Sequence, residues 1–426
     1  MRLLRDRSFA LLFAGQAVNG IGSWAALVAM WGFAAYHFGS GPAQVAILGL
    51  SWALPSALIG PFAGVPVDRL GPKRVLVVAY LAGALTAVAM AFTTSFEQLV
   101  ALGVVDGLVK AFSQPAANAL PPRLVGDHDL LAANALLGAA QESSIVFGPL
   151  VAAAAIAAGG LRAAFVVDAI TFLAGIAVVA PLRLSTLPAR AHERLRTELA
   201  EGLRVASTVP TVRFTLAVST VVFFTWGTFM VVEPIYVRDV LHRPASFFAM
   251  LQTAFGVGLV LTGLLLPRLA RAVASRRALA ASVMLSGVTA AVYVGTRNPA
   301  VAMVGVFLWG VDVAFFSAPS RTLLQRHSPA ATHGRVLALY GTLHSAGDVV
   351  SLSIAGAVAG IVGVQPTAMV AAALAVVVGA YGWRWARRAD RVDGAAAAPD
   401  AERVSAVDAG EPGEPEPVEV VPAFGG

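Results

Sequence analysis

Residues 64–75 read GVPVDRLGPKRV. Asp68, Arg69, Lys73 and Arg74 stand close together there, beside Gly64 and Gly71, between long stretches that carry almost no charge. The glycines allow a tight turn and close approach of the flanking segments. The cations suit the cytoplasmic face of a membrane. Asp68 is the informative member, because an acid beside cations at a helix end pairs or caps and fixes how helices meet. The plainer alternative is a solvated turn with a few charges.

Working outward, the surroundings are those of a membrane protein. Of 426 residues, 58% are hydrophobic and 13% charged, and the mean hydropathy is +0.76. A soluble domain carries about 25% charged residues, so this chain has too little polar surface to dissolve. Runs of about 20 apolar residues are long enough to cross a bilayer. Twelve are found, at 10–36, 43–67, 75–95, 97–119, 131–157, 161–182, 214–237, 246–266, 279–296, 299–320, 335–361 and 365–383. They are unalternated and rich in Ala, Leu and Gly, as helices rather than barrel strands require. The opening MRLLRDRSFALLF is basic and then apolar, but the apolar run continues to Tyr36, too long for a signal peptide; a retained first span is expected.

Arginine and lysine set the orientation. All but five of the 30 fall on one set of alternate connections and at the termini; the exceptions are Arg162, Arg238, Arg243 and Arg297 opposite, and Lys110 within a span. The positive-inside rule then places both termini in the cytoplasm of a multi-pass cell-membrane protein. The basic excess belongs to these connections, so nucleic acid is not an expected partner. There is no cysteine, hence neither disulfide nor thiolate metal site, and no metal or cofactor is expected. No Gly-Lys-Ser/Thr phosphate loop is present, and HERLR at 192 lacks the second histidine of a zinc helix, so an ATP-driven pump and a membrane enzyme are both disfavoured. The expected division is a bundle of six spans at 1–182, a linker at 183–213, a second bundle at 214–388 and a disordered tail at 389–426, rich in Ala, Pro, Gly and acids. In the linker, Leu195, Leu199 and Leu203 lie four apart among charges, which predicts an amphipathic helix at the membrane surface.

The halves echo each other. KAFSQPAANAL (110–120) is matched by AFFSAPSRTLL (314–324), ALLG (135–138) by ALYG (338–341), and GPKRVL (71–76) by SRRAL (275–279), where the basic doublet is kept and the acid lost. The fold class is therefore an all-α integral membrane protein, with twelve transmembrane helices in two pseudo-symmetric six-helix bundles. Parallel halves of this kind place a site near the midplane, between them.

The pattern Gly64-x-x-x-Asp68-Arg69-x-Gly71-x-Lys73-Arg74 resembles the loop 2–3 signature of the major facilitator superfamily, with Pro72 where that pattern often has arginine. The resemblance implies that Asp68, Arg69 and Arg74 latch the two halves in the outward-facing state. FALLFAGQAVNGIG (9–22), PRLVGDHDLLAANAL (122–136), FVVDAITFLAG (165–175) and EGLRVASTVPTVR (201–213) resemble the twelve-span drug–proton antiporter branch that contains macrolide and enterobactin exporters. Ser144, Gly148, Pro149 and Ala152 resemble the Gly-Pro motif of helix 5 in antiporters, which is thought to work by close packing. Helix 11 carries a similar series in Gly347, Ser351, Ala355 and Ala359.

Ionisable groups inside the bilayer are costly, by about 2.5–3.5 kcal/mol each on insertion scales, and usually face a cavity or a partner. The proton-coupling candidates are Asp106, Lys110, Glu142, Asp312, His344 and Asp348. Asp106 and Lys110, four apart, share a helix face and are placed to pair directly, as are His344 and Asp348. Glu142 has no cation nearby in sequence, and a lone buried carboxylate is a proton-binding candidate. Asp168 is expected to be structural, on a peripheral sixth helix, and Glu233 to be interfacial. Trp24, Trp31, Phe223 and Trp226, in equivalent helices 1 and 7, are candidates to line an apolar pocket, or packing and interface anchors. Together these imply a monomeric, proton-coupled carrier in a lipid bilayer that exports a small, amphipathic molecule by alternating access. An uptake carrier and a non-transporting sensor or assembly factor remain as alternatives.

Overall fold

The computed structural model describes residues 3–182, 184, 195–273, 275–329 and 332–408, and these are helical almost throughout. Helices α1 (Arg7–Gly32), α2 (Pro42–Ile59), α3 (Gly64–Leu70), α4 (Pro72–Ala91), α5 (Phe96–Asn118), α6 (Leu130–Gly159) and α7 (Leu161–Val179) form the first half. A surface helix, α8 (Leu195–Thr208), precedes α9 (Pro210–Asp239), α10 (Ala245–Val273), α11 (Arg276–Val294), α12 (Pro299–His327), α13 (His333–Val362) and α14 (Val364–Asp408). Among the described residues, twelve helical segments are long and apolar enough to span a membrane, and they match the expected spans in order. Leucines and valines such as Leu58, Val78 and Leu264 are exposed on the outside, as hydrocarbon in place of water allows.

The packing repeats itself. In the first half α1 lies on α6 and α7, α2 on α5, and α4 on α5 and α7; in the second, α9 lies on α13 and α14, α10 on α12, and α11 on α12 and α14. The halves meet where α2 packs on α13 and α6 on α10, two contacts that exchange when the halves are exchanged. That is the signature of a twofold axis running between two like bundles.

Small residues make the close contacts. A Cβ at Gly148 of α6 would lie 2.2 Å from the Trp24 Cβ, and one at Gly227 of α9 would fall on Ser351 of α13. The expected helix 5 and helix 11 series thus pack α6 on α1 and α13 on α9; Gly356, further along α13, meets Ala46 of α2.

Two expected boundaries are corrected. The second span does not run unbroken to 67; it ends at Ile59, turns through Gly60–Phe62 around Pro61, and restarts as the short α3. Hydropathy continues across this break, so the sequence pattern conceals it. The last helix runs to Asp408, past the span expected at 365–383 and into the expected tail, of which 409–426 lie outside the described residues. In the linker, 183 and 185–194 lie outside them too; α8 begins at Leu195, and its Glu201 pairs with Arg335 at the start of α13.

Candidate functional site

A cavity of about 610 Å³ lies within the first bundle, walled by α1, α2, α4, α5, α6 and α7, with Met230 of α9 reaching it from the second half. It follows α1 from Gln16 to Met30, about 21 Å at 1.5 Å per residue, and its mouth lies near Asn118, Pro121 and Asn134, at the end of the molecule that bears the loop 2–3 turn. The opposite end is shut. There the Tyr36 hydroxyl donates to the Arg243 carbonyl at 2.9 Å, and the Arg238 guanidinium donates to the carbonyls of Ala35 and of Ser40, the latter at 3.1 Å. Trp31, Phe33, Phe229, Val232 and Leu352 fill the core beneath these bonds.

At mid-depth three residues from two helices form one unit. The Trp52 indole N–H of α2 donates to the Asp106 carboxylate of α5 at 3.0 Å. The Lys110 ammonium stands 3.9 Å from the centre of the same indole ring. The expected direct pair of Asp106 with Lys110 is therefore replaced by an aromatic bridge: one edge of Trp52 serves the acid and its face serves the cation. Gly103 and Gly107 of α5 make this possible, because a Cβ at Gly107 would lie 2.3 Å from the Trp52 carbonyl oxygen. Trp52 was not foreseen, since an aromatic in an apolar span has no local signal that sets it apart from packing residues.

Other candidates are distributed around this unit. His344 Nε2 and Asp348 Oδ2 of α13 are 3.7 Å apart, and the His344 ring stacks on Phe223 at 4.2 Å between centroids. The charge of Lys110, from the other bundle, acts on both His344 and Asp348. Glu142 of α6 is exposed, and it feels Arg321 of α12, a cation that its own stretch of sequence does not contain. Asp312 is fully enclosed in the second half, and neither carboxyl oxygen has a hydrogen-bond partner there. Glu233, near the end of α9, is 4% exposed and accepts a 2.6 Å hydrogen bond from the Tyr293 hydroxyl.

Asp168 points inward on the sixth span. The sixth helix, α7, packs on α1 so that Asp168 reaches the wall of the cavity, 3% exposed, with its Oδ1 accepting no hydrogen bond. Of the four aromatic candidates, Trp24 lines the cavity. Trp31 is core, packed against Gly49; Phe223 is buried under His344; and the Trp226 indole N–H is buried without a partner.

Loop 2–3 forms as a turn between α3 and α4. Gly71 takes φ +86°, a left-handed conformation that favours glycine, and Pro72 opens α4. The Lys73 ammonium donates to the Leu182 carbonyl just past α7, at 2.9 Å. The equivalent turn in the second half behaves alike: Arg276 pairs with Asp390 of α14 at 3.1 Å, as does Arg277. In each half the basic residues that open the third span hold the end of the sixth. Asp68, Arg69 and Arg74 are on the surface.

Two like six-helix bundles, the first holding a charged cavity, have the architecture of a membrane carrier of small molecules. The family model for the Major Facilitator Superfamily matches residues 12–223 and again 215–411, and the chain belongs to this superfamily. It is therefore a multi-pass membrane transporter and not an enzyme. It is 25% identical over 374 residues to macrolide efflux protein A of Streptococcus pyogenes, covering 84% of this chain and 90% of that one. It is 22% identical over 385 residues to the uncharacterized MFS-type transporter YfiS of Bacillus subtilis, covering 88% and 92%. Among solved structures, the nucleoside transporter NupG superposes with a TM-score of 0.72 at 12% identity, covering 88% of this chain and 98% of that one. A bacterial homologue of the human lysosomal transporter Spinster, in an inward-facing and unoccupied conformation, gives 0.71 at 16%, covering 91% and 98%.

Proposed function

We propose that this transporter exports a small amphipathic molecule in exchange for protons, by alternating access, as a monomer in the cell membrane with both termini in the cytoplasm. The observation that carries the reading is the cavity itself: it is open at the terminus-bearing end, shut at the other, and holds Asp106 and Lys110 at mid-depth. The bias of arginines supports a cytoplasmic mouth. The similarity to macrolide efflux proteins supports export and an amphipathic cargo.

In this account solute enters from the cytoplasm or the inner leaflet. A proton arriving from outside neutralises Asp106, weakening its hold on Trp52 and Lys110 and favouring the other state. Glu142, His344 and Asp348 stand where the bundles face each other and take part as the cleft closes. Asp312, enclosed away from the cavity, serves the packing of the second half. Asp68, Arg69 and Arg74 latch the halves in the outward-facing state, while Lys73 anchors α7. Each charge moved inward through about 100 mV supplies about 2.3 kcal/mol, enough for a roughly fiftyfold solute gradient.

The test is transport by purified protein in proteoliposomes under an imposed pH gradient, with a labelled macrolide and a panel of lipophilic amines as cargo. The account expects cargo movement matched by proton movement in the parent and loss of both in Asp106→Asn, with normal folding by gel filtration. Coupled transport by Asp106→Asn at the parent's rate refutes the assignment of Asp106. Cargo entry driven with the proton gradient identifies an uptake carrier instead.

A further inference from the structure

We infer that the groove between α9 and α14, on the outer wall of the second bundle, is a binding site for an anionic phospholipid of the leaflet at the terminus-bearing end. The inference goes beyond the transport reading and does not depend on the direction in which solute moves. The groove has a volume of about 450 Å³; its wall runs from Pro210 to Val221 on α9 and from Val378 to Trp385 on α14. From Pro210 to Val221 is about 17 Å at 1.5 Å per residue, close to half of a hydrocarbon core about 30 Å thick. An acyl chain of one leaflet reaches that far. Inside, the groove is apolar and aromatic. The Phe214 ring stacks on the Trp385 ring, 4.5 Å between centroids and 14° apart. A Cβ at Gly382 would lie 3.2 Å from the Phe214 ring, so the glycine leaves room for that ring against α14.

Charge is confined to one end of the groove. Arg213 lines it one turn from the start of α9 and is exposed. Its guanidinium donates to the Ser207 carbonyl at 3.4 Å, which leaves most of its five N–H donors to spare. Among the described residues it is paired with no carboxylate. On α14, Arg388 is exposed and stands seven residues beyond Tyr381, two turns along at nearly the same angle. Asp390, the acid whose side chain is described on this stretch, is already held by Arg276 and Arg277. The end of the groove is therefore cationic, with no counter-charge from the protein. An acyl chain alone has no use for the arginines, and a solvated arginine has no use for a groove. A lipid phosphate with its chains satisfies both, because the guanidinium fork matches phosphate oxygens. Basic pockets between spans take anionic headgroups in this way. A choline lipid brings its own cation to the same place and gains less.

The experiment measures lipid binding by the full-length protein in detergent. The probes are phosphatidylglycerol and phosphatidylcholine with the same brominated chains, which quench indole fluorescence on contact. The signal of Trp385 is that of the parent minus that of Trp385→Phe. The site predicts that phosphatidylglycerol binds there about fivefold more tightly than phosphatidylcholine. Arg213→Gln is expected to lose this preference and Arg213→Lys to keep part of it. Arg326→Gln removes an exposed cation outside the groove, at the end of α12, and is expected to keep the preference in full. Equal binding of the two lipids by the parent means contact with the chains alone and overturns the site, with no variant needed. A loss in Arg326→Gln as large as in Arg213→Gln reports net charge and also overturns it. So does a Trp385 that neither lipid quenches, as when a second copy of the chain covers the groove.

Discussion

Trp52 is asked to hold an acid with its edge and a cation with its face, and substitutions separate the two functions. Trp52→Phe keeps a ring for Lys110 but strips Asp106 of its donor, which costs about 1–3 kcal/mol for a buried acceptor left unsatisfied. Trp52→Ala removes the cation–π contact as well and is expected to be the less stable of the two, in thermal unfolding of the detergent-solubilised protein. Equal losses would mean that the ring face contributes nothing. The residue scale is also where the sequence was least legible. The four-residue spacing of Asp106 and Lys110 places both on one face of α5, but their shared partner lies 54 positions away from Asp106, on another helix. The surroundings of Asp168 were not legible for a related reason: whether an acid in the sixth span faces lipid, core or cavity depends on how α7 is rotated against α1, and that rotation is set by tertiary contacts.

Between helices, glycine decides how close two axes come, and the structure distinguishes glycines that are needed from those that are not. At Gly148 the added methyl of an alanine would meet both Trp24 and the Ile21 carbonyl; at Gly138 it would meet nothing within 4 Å. Gly148→Ala is expected to destabilise by about 1–3 kcal/mol, as overpacking does. Gly138→Ala, in the interior of the same helix, is expected to be neutral or to stabilise by about 0.5–1 kcal/mol. Melting temperatures in one detergent compare them directly, and a reversed order would show that α6 does not approach α1 as described. The clamps at the ends of the sixth and twelfth spans make a milder prediction. Asp390→Ala removes the carboxylate that Arg276 and Arg277 share, all partly exposed, and is expected to cost about 1 kcal/mol or less while loosening the end of α14, measurable by hydrogen exchange. Helices themselves were readable from sequence, because a bilayer imposes both length and apolarity on each span. The break at Gly60 was not, because a turn inside an apolar run leaves hydropathy unchanged.

The whole molecule is described here in one of the two states that alternating access requires, with its far end sealed by the bonds of Tyr36 and Arg238 and its near end open. The repeated sequence stretches made the twofold plan legible, since each half had to reuse the same helix contacts; the direction in which the cavity opens could only come from the structure. The central claim is that the cavity beside Asp106 is reached by water from one side at a time. The chain has no cysteine, so a single cysteine in place of Ser23, on the cavity wall, reports on this without background. The decisive measurement is labelling of Ser23→Cys by a membrane-impermeant thiol reagent in vesicles of known sidedness. The account predicts rapid labelling from the cytoplasmic side and protection from the outer side, with the order reversing when an inward proton gradient drives the outward-facing state. Labelling from both sides under one condition, or from neither side under any, would contradict it.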